Sequence, residues 1–260
     1  MIGTIRQRRL LANEDIATEV QTVHLVQEAP PLGAVVRILD VSEKSAAAVV
    51  SEISGAGGFA SFNSCDVTDQ RAVKLLFEEI SKAGPINILV NNAGISHIGK
   101  VETTSEEDFD RVLRVNVKGY YNCIRAAIGH ITANGGGVIL NLASVAGSTG
   151  IADRFVYSTS KGAVIAMTYS VARDYIGLGI RCNCISPARV HTPFVDDYLS
   201  KNYPGREREM YNKLAATQPI GRMGEPEEVA SLAVFLCSDA AAFITGTNYT
   251  LDGGFMNLHG

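Results

Sequence analysis

The chain has 260 residues, of which 46% are hydrophobic and 19% are charged, and its formal net charge is −4. This is an ordinary globular composition, and the length suits one large α/β domain. The small negative charge gives no indication of nucleic acid or an anionic membrane as a partner. No apolar run reaches the roughly 20 residues of a membrane span. No secretory or transit signal is recognisable, so the cytoplasm is the expected compartment.

From residue 34 onward, short apolar segments alternate with helical patterns, which predicts a parallel sheet wrapped by helices. The predicted strands cover residues 34–39, 59–62, 86–90, 138–142, 180–185 and 248–251. The predicted helices cover residues 42–54, 68–82, 105–132, 155–175 and 225–237. With no linker or internal repeat, residues 1–260 are predicted to form a single doubly wound α/β domain.

The strongest chemical signal is the pair Tyr157 and Lys161 within the predicted helix 155–175. Their spacing places a phenol and an ammonium on one helical face. A free phenol has a pKa of about 10 and is a poor acid–base group at neutral pH. A neighbouring ammonium favours the phenolate, so we expect Lys161 to lower the pKa of Tyr157.

Polar residues at strand and helix ends accompany this pair. Ser144 follows the predicted strand 138–142, and the carboxyl ends of parallel strands face the ligand crevice. A hydroxyl there can hydrogen-bond a substrate oxygen. Asn116 interrupts the long helix 105–132, and Asn91-Asn92-Ala93-Gly94 follows the strand 86–90. Each residue alone is typical of a cap or turn, but their order and spacing together indicate a catalytic site.

This ordered set resembles the short-chain dehydrogenase/reductase family over residues 34–256. Further matching residues are Asp66, Val67, Arg181, Asn183, Ser186, Pro187, Gly246, Asp252, Gly253 and Gly254. The resemblance implies a seven-stranded, mostly parallel Rossmann-like sheet with helices on both faces. It also implies an oxidoreductase that moves a hydride between a nicotinamide dinucleotide and an alcohol or carbonyl carbon. A homo-oligomer, either a tetramer or a dimer, is the expected assembly.

The resemblance implies a role for each matching residue. Tyr157 would be the general acid or base, and Lys161 would lower its pKa and bind the nicotinamide ribose. Ser144 would hold the substrate oxygen, and Asn116 would keep a water in a proton relay. The remaining cofactor contacts would be Asp66, Val67, Asn92, Ala93, Gly94, Pro187, Val190 and Thr192.

Asp40 bears on the choice of cofactor. A carboxylate at the end of the second predicted strand can accept hydrogen bonds from the adenosine ribose, but it would repel a 2′-phosphate. We therefore expect NAD rather than NADP.

The N-terminus departs from the family pattern, which has a strand followed by Thr-Gly-x-x-x-Gly-x-Gly. Residues 4–32 contain no glycine, so residues 1–33 form an atypical segment in place of the first strand, glycine loop and helix. Without glycine the backbone cannot easily approach a pyrophosphate. We hypothesise a reading-frame or start-site alteration, and the alternative is a genuine variant that binds cofactor poorly or serves another role.

Residues 191–218 are the expected substrate lid, and its polar and aromatic character suits a polar substrate. Asp153-Arg154-Phe155-Val156-Tyr157 is similar to the family branch that oxidises small hydroxy acids and deoxy-sugar acids. In that analogy Arg154 pairs with a substrate carboxylate. His97 is a second candidate substrate contact. Neither His97 nor any other histidine or cysteine has metal-ligand company, so no metal is expected.

Three functions stay open on the sequence. The first is an NAD-dependent dehydrogenase of a small polar secondary alcohol, such as a sugar, sugar acid or hydroxy acid. The second is an NADPH-dependent 3-oxoacyl-carrier-protein reductase. The third is a non-catalytic, oligomeric protein that has lost cofactor binding.

Overall fold

The computed structural model describes residues 9–14 and 34–258. The elements in chain order are β1 (Arg9–Glu14), β2 (Val35–Asp40), α1 (Glu43–Gly55), β3 (Phe59–Ser64), α2 (Gln70–Lys82), β4 (Ile88–Asn91), α3 (Glu106–Leu113), α4 (Tyr120–Ala133), β5 (Gly137–Leu142), α5 (Phe155–Tyr175), β6 (Ile180–Pro187), α6 (Pro193–Asn202), α7 (Glu207–Ala215), α8 (Pro226–Cys237) and β7 (Asn248–Leu251). Apart from the helix 105–132, the predicted helices and strands from residue 34 onward are confirmed, with ends that differ by at most two residues.

The strands form one seven-stranded parallel sheet in the order β3-β2-β1-β4-β5-β6-β7. The order turns back between β1 and β4, which creates the crevice in which such folds bind ligands. The predicted doubly wound fold with seven strands is therefore confirmed.

The N-terminal strand corrects one expectation. Residues Arg9–Glu14 form β1, which pairs in parallel with both β2 and β4 at the centre of the sheet. The run Leu10-Leu11-Ala12 has the apolar character of a buried parallel strand, which the lack of glycine obscured. The first strand is therefore present, whereas the expected positions of the glycine loop and the following helix lie outside the described residues.

Alternate side chains of the strands build two apolar layers. On one face, Val138 and Leu140 of β5 pack with buried residues of α1 and α8. On the other face, Ile139 packs with buried residues of α2, α4 and α5. This alternation follows from the period of two in a strand, and it leaves the polar strand ends at one edge of the sheet.

The predicted helix 105–132 is not continuous. A π-helical turn, Arg114–Gly119, separates α3 from α4. Within this turn Gly119 lies so close to Val67 that a Cβ at Gly119 would come 2.8 Å from Val67 Cγ2. The insertion turns Asn116 towards the loop after β4, which a regular helix of this length would not do.

All five cysteines are free and buried. Cys182 and Cys184 on β6 pack into apolar clusters on the same face of the sheet. This is expected, because residues two apart on a strand point to the same side. No helix in the described part of the chain is long and apolar enough to span a bilayer.

The loop after β5 approaches α5 closely at Gly147. A Cβ at Gly147 would lie 2.6 Å from the carbonyl carbon of Lys161, whereas a Cβ at Gly162 would meet nothing closer than 3.5 Å. We predict that Gly147→Ala lowers the free energy of unfolding by roughly 1–3 kcal/mol, because backbone must move.

Gly162→Ala is the matched control, with unchanged stability or a gain of up to about 1 kcal/mol from helix propensity. Urea unfolding followed by circular dichroism measures both variants. Equal stability of Gly147→Ala and the wild type would contradict the close packing.

Candidate active site

A cavity of about 120 Å³ opens at the carboxyl edge of β4, β5 and β6. Its lining combines strand ends with the first turns of α5: Gly94, Ile95, Ser96, Leu142, Ala143, Ser144, Tyr157, Lys161, Pro187 and Ala188. The structure thus brings together three predicted catalytic residues, Ser144, Tyr157 and Lys161, from two separate elements.

Ser144 and Tyr157 share a side-chain hydrogen bond at this cavity. Ser144 is buried, and its hydroxyl also accepts a hydrogen bond from the Ala146 amide at 3.2 Å, which begins a short 3-10 turn. Tyr157 is half-buried in the first turn of α5. A substrate oxygen between the two hydroxyls would contact both.

Lys161 is buried beside this pair. Its Nζ donates a hydrogen bond to the Leu142 carbonyl oxygen at 2.7 Å. Burial lowers the pKa of Lys161 to about 8, and the nearby Cys184 only partly opposes this shift. The absence of a Cβ at Gly94 leaves space next to the ammonium, since such an atom would lie 3.4 Å from Nζ.

The pKa of Tyr157 shifts upward overall, which is opposite to the predicted direction. Burial raises the pKa of Tyr157, and this outweighs the hydrogen bond with Ser144 and the charge of Arg154, which lower it. Lys161 Nζ is directed to the Leu142 carbonyl and lies 5.9 Å from the centroid of the Tyr157 ring. Tyr157 is therefore protonated at neutral pH in this geometry.

Asn116 holds the loop after β4 against the catalytic helix. Its Oδ1 accepts from the Ile95 amide at 2.8 Å, and its Nδ2 donates to the Ile95 carbonyl at 2.9 Å. The same Nδ2 donates to Ser160 Oγ at 2.9 Å, and Ser160 Oγ in turn donates to the Tyr157 carbonyl. The side chain thus joins the π turn, the Ile95 loop and α5.

The residues predicted to contact the adenosine half lie along the same sheet edge. Asp40 ends β2 with only 1% of its surface exposed, and its Oδ1 accepts from the Ser42 amide at 2.6 Å. Asp66 is exposed after β3, where its Oδ1 accepts from the Thr68 amide, and Val67 is buried beside it. Buried Asn92, Ala93 and Gly94 follow β4.

The nicotinamide half would meet the end of β6. Pro187 ends the strand, Val190 bridges to Gly224, and buried Thr192 precedes α6. A carboxylate beside β2, an ammonium and phenol beside β5 and the open space at Gly94 fit the two ends of a nicotinamide dinucleotide. The glycine-loop position lies outside the described residues.

Two arginines flank a second part of the cleft. Arg154 and Arg189 both line a cavity of about 140 Å³ that also contains Ser144, Gln218 and Phe255. They also line an adjoining cavity of about 280 Å³ under Tyr198 of α6 and Leu214 of α7. Partial burial and the nearby Arg154 charge lower the pKa of Arg189.

The sequence did not predict which way the Arg189 side chain points. It stands two residues after the carboxyl end of β6, and its Nε donates to Thr217 Oγ1 at 3.2 Å. Arg154 follows Asp153, which has a φ of 59° and is the one non-glycine residue with positive φ in the described ranges. This left-handed backbone turns the chain into α5 and places Arg154 at the cleft.

His97 lies elsewhere than predicted. Its Nδ1 is 3.7 Å from Asp108 Oδ1, and its ring packs against Gly99, where a Cβ would come 2.7 Å from Nε2. The structure therefore directs His97 towards α3 rather than towards Tyr157. Within residues 9–14 and 34–258, no three His, Cys, Asp or Glu side chains group as metal ligands.

Comparison with known proteins identifies the family. The family model described as enoyl-(acyl carrier protein) reductase matches residues 23–256. A Xenopus laevis protein, dehydrogenase/reductase SDR family member 6, is 42% identical over 73% of this chain and 76% of its own length. The chain belongs to the short-chain dehydrogenase/reductase family.

Other relatives of this short-chain dehydrogenase/reductase support the same conclusion. The 2-keto-3-deoxy-L-fuconate dehydrogenase of Xanthomonas campestris is 36% identical over 74% of this chain and 63% of its own length. A crystal structure of a short-chain dehydrogenase/reductase from Burkholderia xenovorans superposes with a TM-score of 0.92 at 28% identity, covering 99% of this chain and 100% of the other. The protein is an oxidoreductase, as the sequence predicts.

The burial of Lys161 predicts how the stability of this short-chain dehydrogenase/reductase depends on pH. An unfolded lysine keeps its proton up to about pH 10.5, whereas folded Lys161 loses it near pH 8. Between these values the unfolded state binds more protons, so the folded state gains stability as the pH rises. Lys161→Met lacks this gain, so the free energy of unfolding of the wild type should rise relative to it by up to about 3 kcal/mol.

Urea unfolding of both proteins from pH 7 to pH 10 measures this difference, in which all other titrating groups cancel. A difference that does not change with pH would show that the Lys161 ammonium is solvated.

Proposed function

We propose that this protein is an NAD-dependent dehydrogenase of small polar hydroxy acids, including sugar acids. The observation that carries the proposal is the pair Arg154 and Arg189 beside Ser144 and Tyr157. A secondary alcohol held at the two hydroxyls would place an acid group a few atoms away between the two guanidinium groups.

The two cations make an anionic substrate the best match. Two like charges that share a cavity repel each other, and the depressed pKa of Arg189 reflects burial together with this repulsion. A bound carboxylate removes the repulsion and accepts charge-assisted hydrogen bonds from both. The buried amide of Gln218, whose Nε2 donates to Thr217 Oγ1, adds a polar wall to the same cavity.

The reaction follows from the hydroxyl pair. A nicotinamide dinucleotide would supply hydride chemistry in the cleft between β2 and β6. Ser144 holds the substrate oxygen. During oxidation the phenolate form of Tyr157 accepts the hydroxyl proton at Oη, and during reduction the phenol form returns it. Because Tyr157 is protonated at neutral pH, it is set as the proton donor for carbonyl reduction. Lys161 keeps a positive charge near the phenol when it is protonated.

Asp40 supports NAD as the cofactor. Its buried carboxylate closes β2 at the sheet edge, where an adenosine ribose would lie. A 2′-phosphate at that position would face a buried negative charge. The name of the Xanthomonas relative, a dehydrogenase of a deoxy-sugar acid, agrees with the proposed substrate class.

The homotetramer or dimer stays a prediction. Large apolar side chains are exposed near the end of α8 and after it: Phe235 is 41% and Phe243 104% exposed. These aromatic rings supply a candidate contact surface for a second copy.

Cofactor titration tests the first part of the proposal. We expect the wild type to bind NADH at micromolar concentration and NADPH at least tenfold more weakly, because Asp40 repels the additional phosphate. Asp40→Ser should reduce or reverse this preference, as measured by isothermal calorimetry.

Tighter binding of NADPH would favour the acyl-carrier-protein reductase alternative. Binding of neither cofactor by the folded protein would favour the non-catalytic alternative and would overturn the proposed function.

Substrate kinetics test the second part. With gluconate and 3-hydroxybutyrate as probes, Arg189→Met and Arg154→Met should each raise KM roughly 10- to 150-fold through the loss of a charge-assisted contact. The neutral probes glucitol and 2-butanol should respond less than threefold.

Arg173→Met is the matched control, because Arg173 is exposed near the end of α5. Tyr157→Phe should abolish turnover of every probe. Equal losses for acids and neutral alcohols in the arginine variants would reject the anionic substrate class.

A further inference from the structure

Tyr120 is a buried residue behind the active site that has no assigned role. It begins α4 directly after the π turn, and none of its surface is exposed. It packs with Ala143, Val164, Ile165 and Cys184, between β5, β6 and α5. Tyr120 does not line the cavity beside Ser144, Tyr157 and Lys161, so its effect on the reaction must act through another residue.

Two contacts join Tyr120 to Lys161. The Tyr120 hydroxyl donates a hydrogen bond to the Leu142 carbonyl at 3.1 Å, and Lys161 Nζ donates to the same oxygen at 2.7 Å. In addition, Nζ lies 5.6 Å from the centroid of the Tyr120 ring. This distance is within the range of about 6 Å at which an aromatic face attracts an ammonium, and the attraction is strongest when both are desolvated.

The surroundings leave the ammonium few other partners. The titratable groups that face it are Tyr157 on its own helix, Tyr120 on α4 and Cys184 on β6. None of these carries a negative charge near neutral pH, since burial raises the pKa of Tyr157 and Tyr120 and raises that of Cys184 to about 11. The Leu142 carbonyl and the aromatic faces therefore supply the electrostatic stabilisation of the charged lysine.

We propose that Tyr120 is a positioning residue for Lys161. The face of the Tyr120 ring keeps the Lys161 ammonium charged and directed at the Leu142 carbonyl. The Tyr120 hydroxyl donates to the second lone pair of that carbonyl oxygen, and it affects the charge of Lys161 less than the ring does. The inference rests on the proposed function, because Lys161 matters for turnover only if it acts with Tyr157.

Two substitutions separate the ring from the hydroxyl. Tyr120→Phe keeps the aromatic face, whereas Tyr120→Leu removes it. The charge state of Lys161 is followed by the ¹³Cε chemical shift of labelled lysine over pH 6–10, with the signal assigned through Lys161→Arg. This measurement does not depend on activity, so a wild type without turnover would reject the proposed function and leave the Tyr120 result intact.

We expect Tyr120→Leu to lower the pKa of Lys161 by about 0.4 to 1.5 units, while Tyr120→Phe stays within about 0.2 of the wild type. In the active enzyme, Tyr120→Leu should lower kcat by up to about fourfold at pH 7 with KM unchanged, because a smaller fraction of Lys161 is charged.

Val164→Ala is the control for cavity formation, because Val164 is fully buried in the same apolar cluster as Tyr120 and is not one of the groups that face the ammonium. It should reduce the melting temperature without moving the pKa of Lys161. If Tyr120→Leu does not fold, Tyr120→Met replaces it with a more flexible side chain of similar apolar character. An unchanged Lys161 pKa in the ring-deleting variant, or an equal shift in Tyr120→Phe, would overturn the proposal.

Discussion

The burial of one ammonium group constrains much of the active site. Lys161 donates to the carbonyl of Leu142, the last residue of β5, and it does so with almost none of its surface in water. A buried charge persists only where fixed dipoles replace its hydration. The end of β5, the rotation of α5 and the glycines at positions 94 and 147 must therefore all hold their places.

This requirement explains why the site spans so many elements. Ser144 lies on the loop after β5, and Tyr157 lies in the first turn of α5. From a π turn, Asn116 reaches both α5 and the loop after β4. Hydrogen bonds through backbone groups make these elements one unit. The part of the cleft proposed to bind substrate is built differently. Arg154 and Arg189 line the same two cavities, one of which is also lined by Tyr198 of α6 and Leu214 of α7. The hydrogen-bonded half would serve proton transfer in the proposed reaction, and the half with the two arginines would select the substrate.

The strength of local patterns decided how much could be predicted. Strands β4 and β5 and helices α2, α5 and α8 follow from apolar periodicity and from caps such as Asp69, which accepts from two amides of the first turn of α2. The sequence showed an interruption of the helix at Asn116, but not that it takes the form of a π turn, because the partner Ile95 is brought beside Asn116 only by tertiary packing. Strand β1 was obscured, because its identity depends on pairing with β2 and β4 rather than on glycine content.

The sequence by itself determined the fold class and the family, and it predicted Asn116, Ser144, Tyr157 and Lys161 as the catalytic set, because motif order and spacing are readable without coordinates. Only the tertiary structure decided which way these side chains act on each other. In the structure Lys161 donates to a carbonyl, and burial raises the pKa of Tyr157. His97 lies beside Asp108, and Arg189 lines the same cavity as Arg154. The reason is that burial, direction and long-range neighbours arise only when distant segments pack, and electrostatic effects depend on all three.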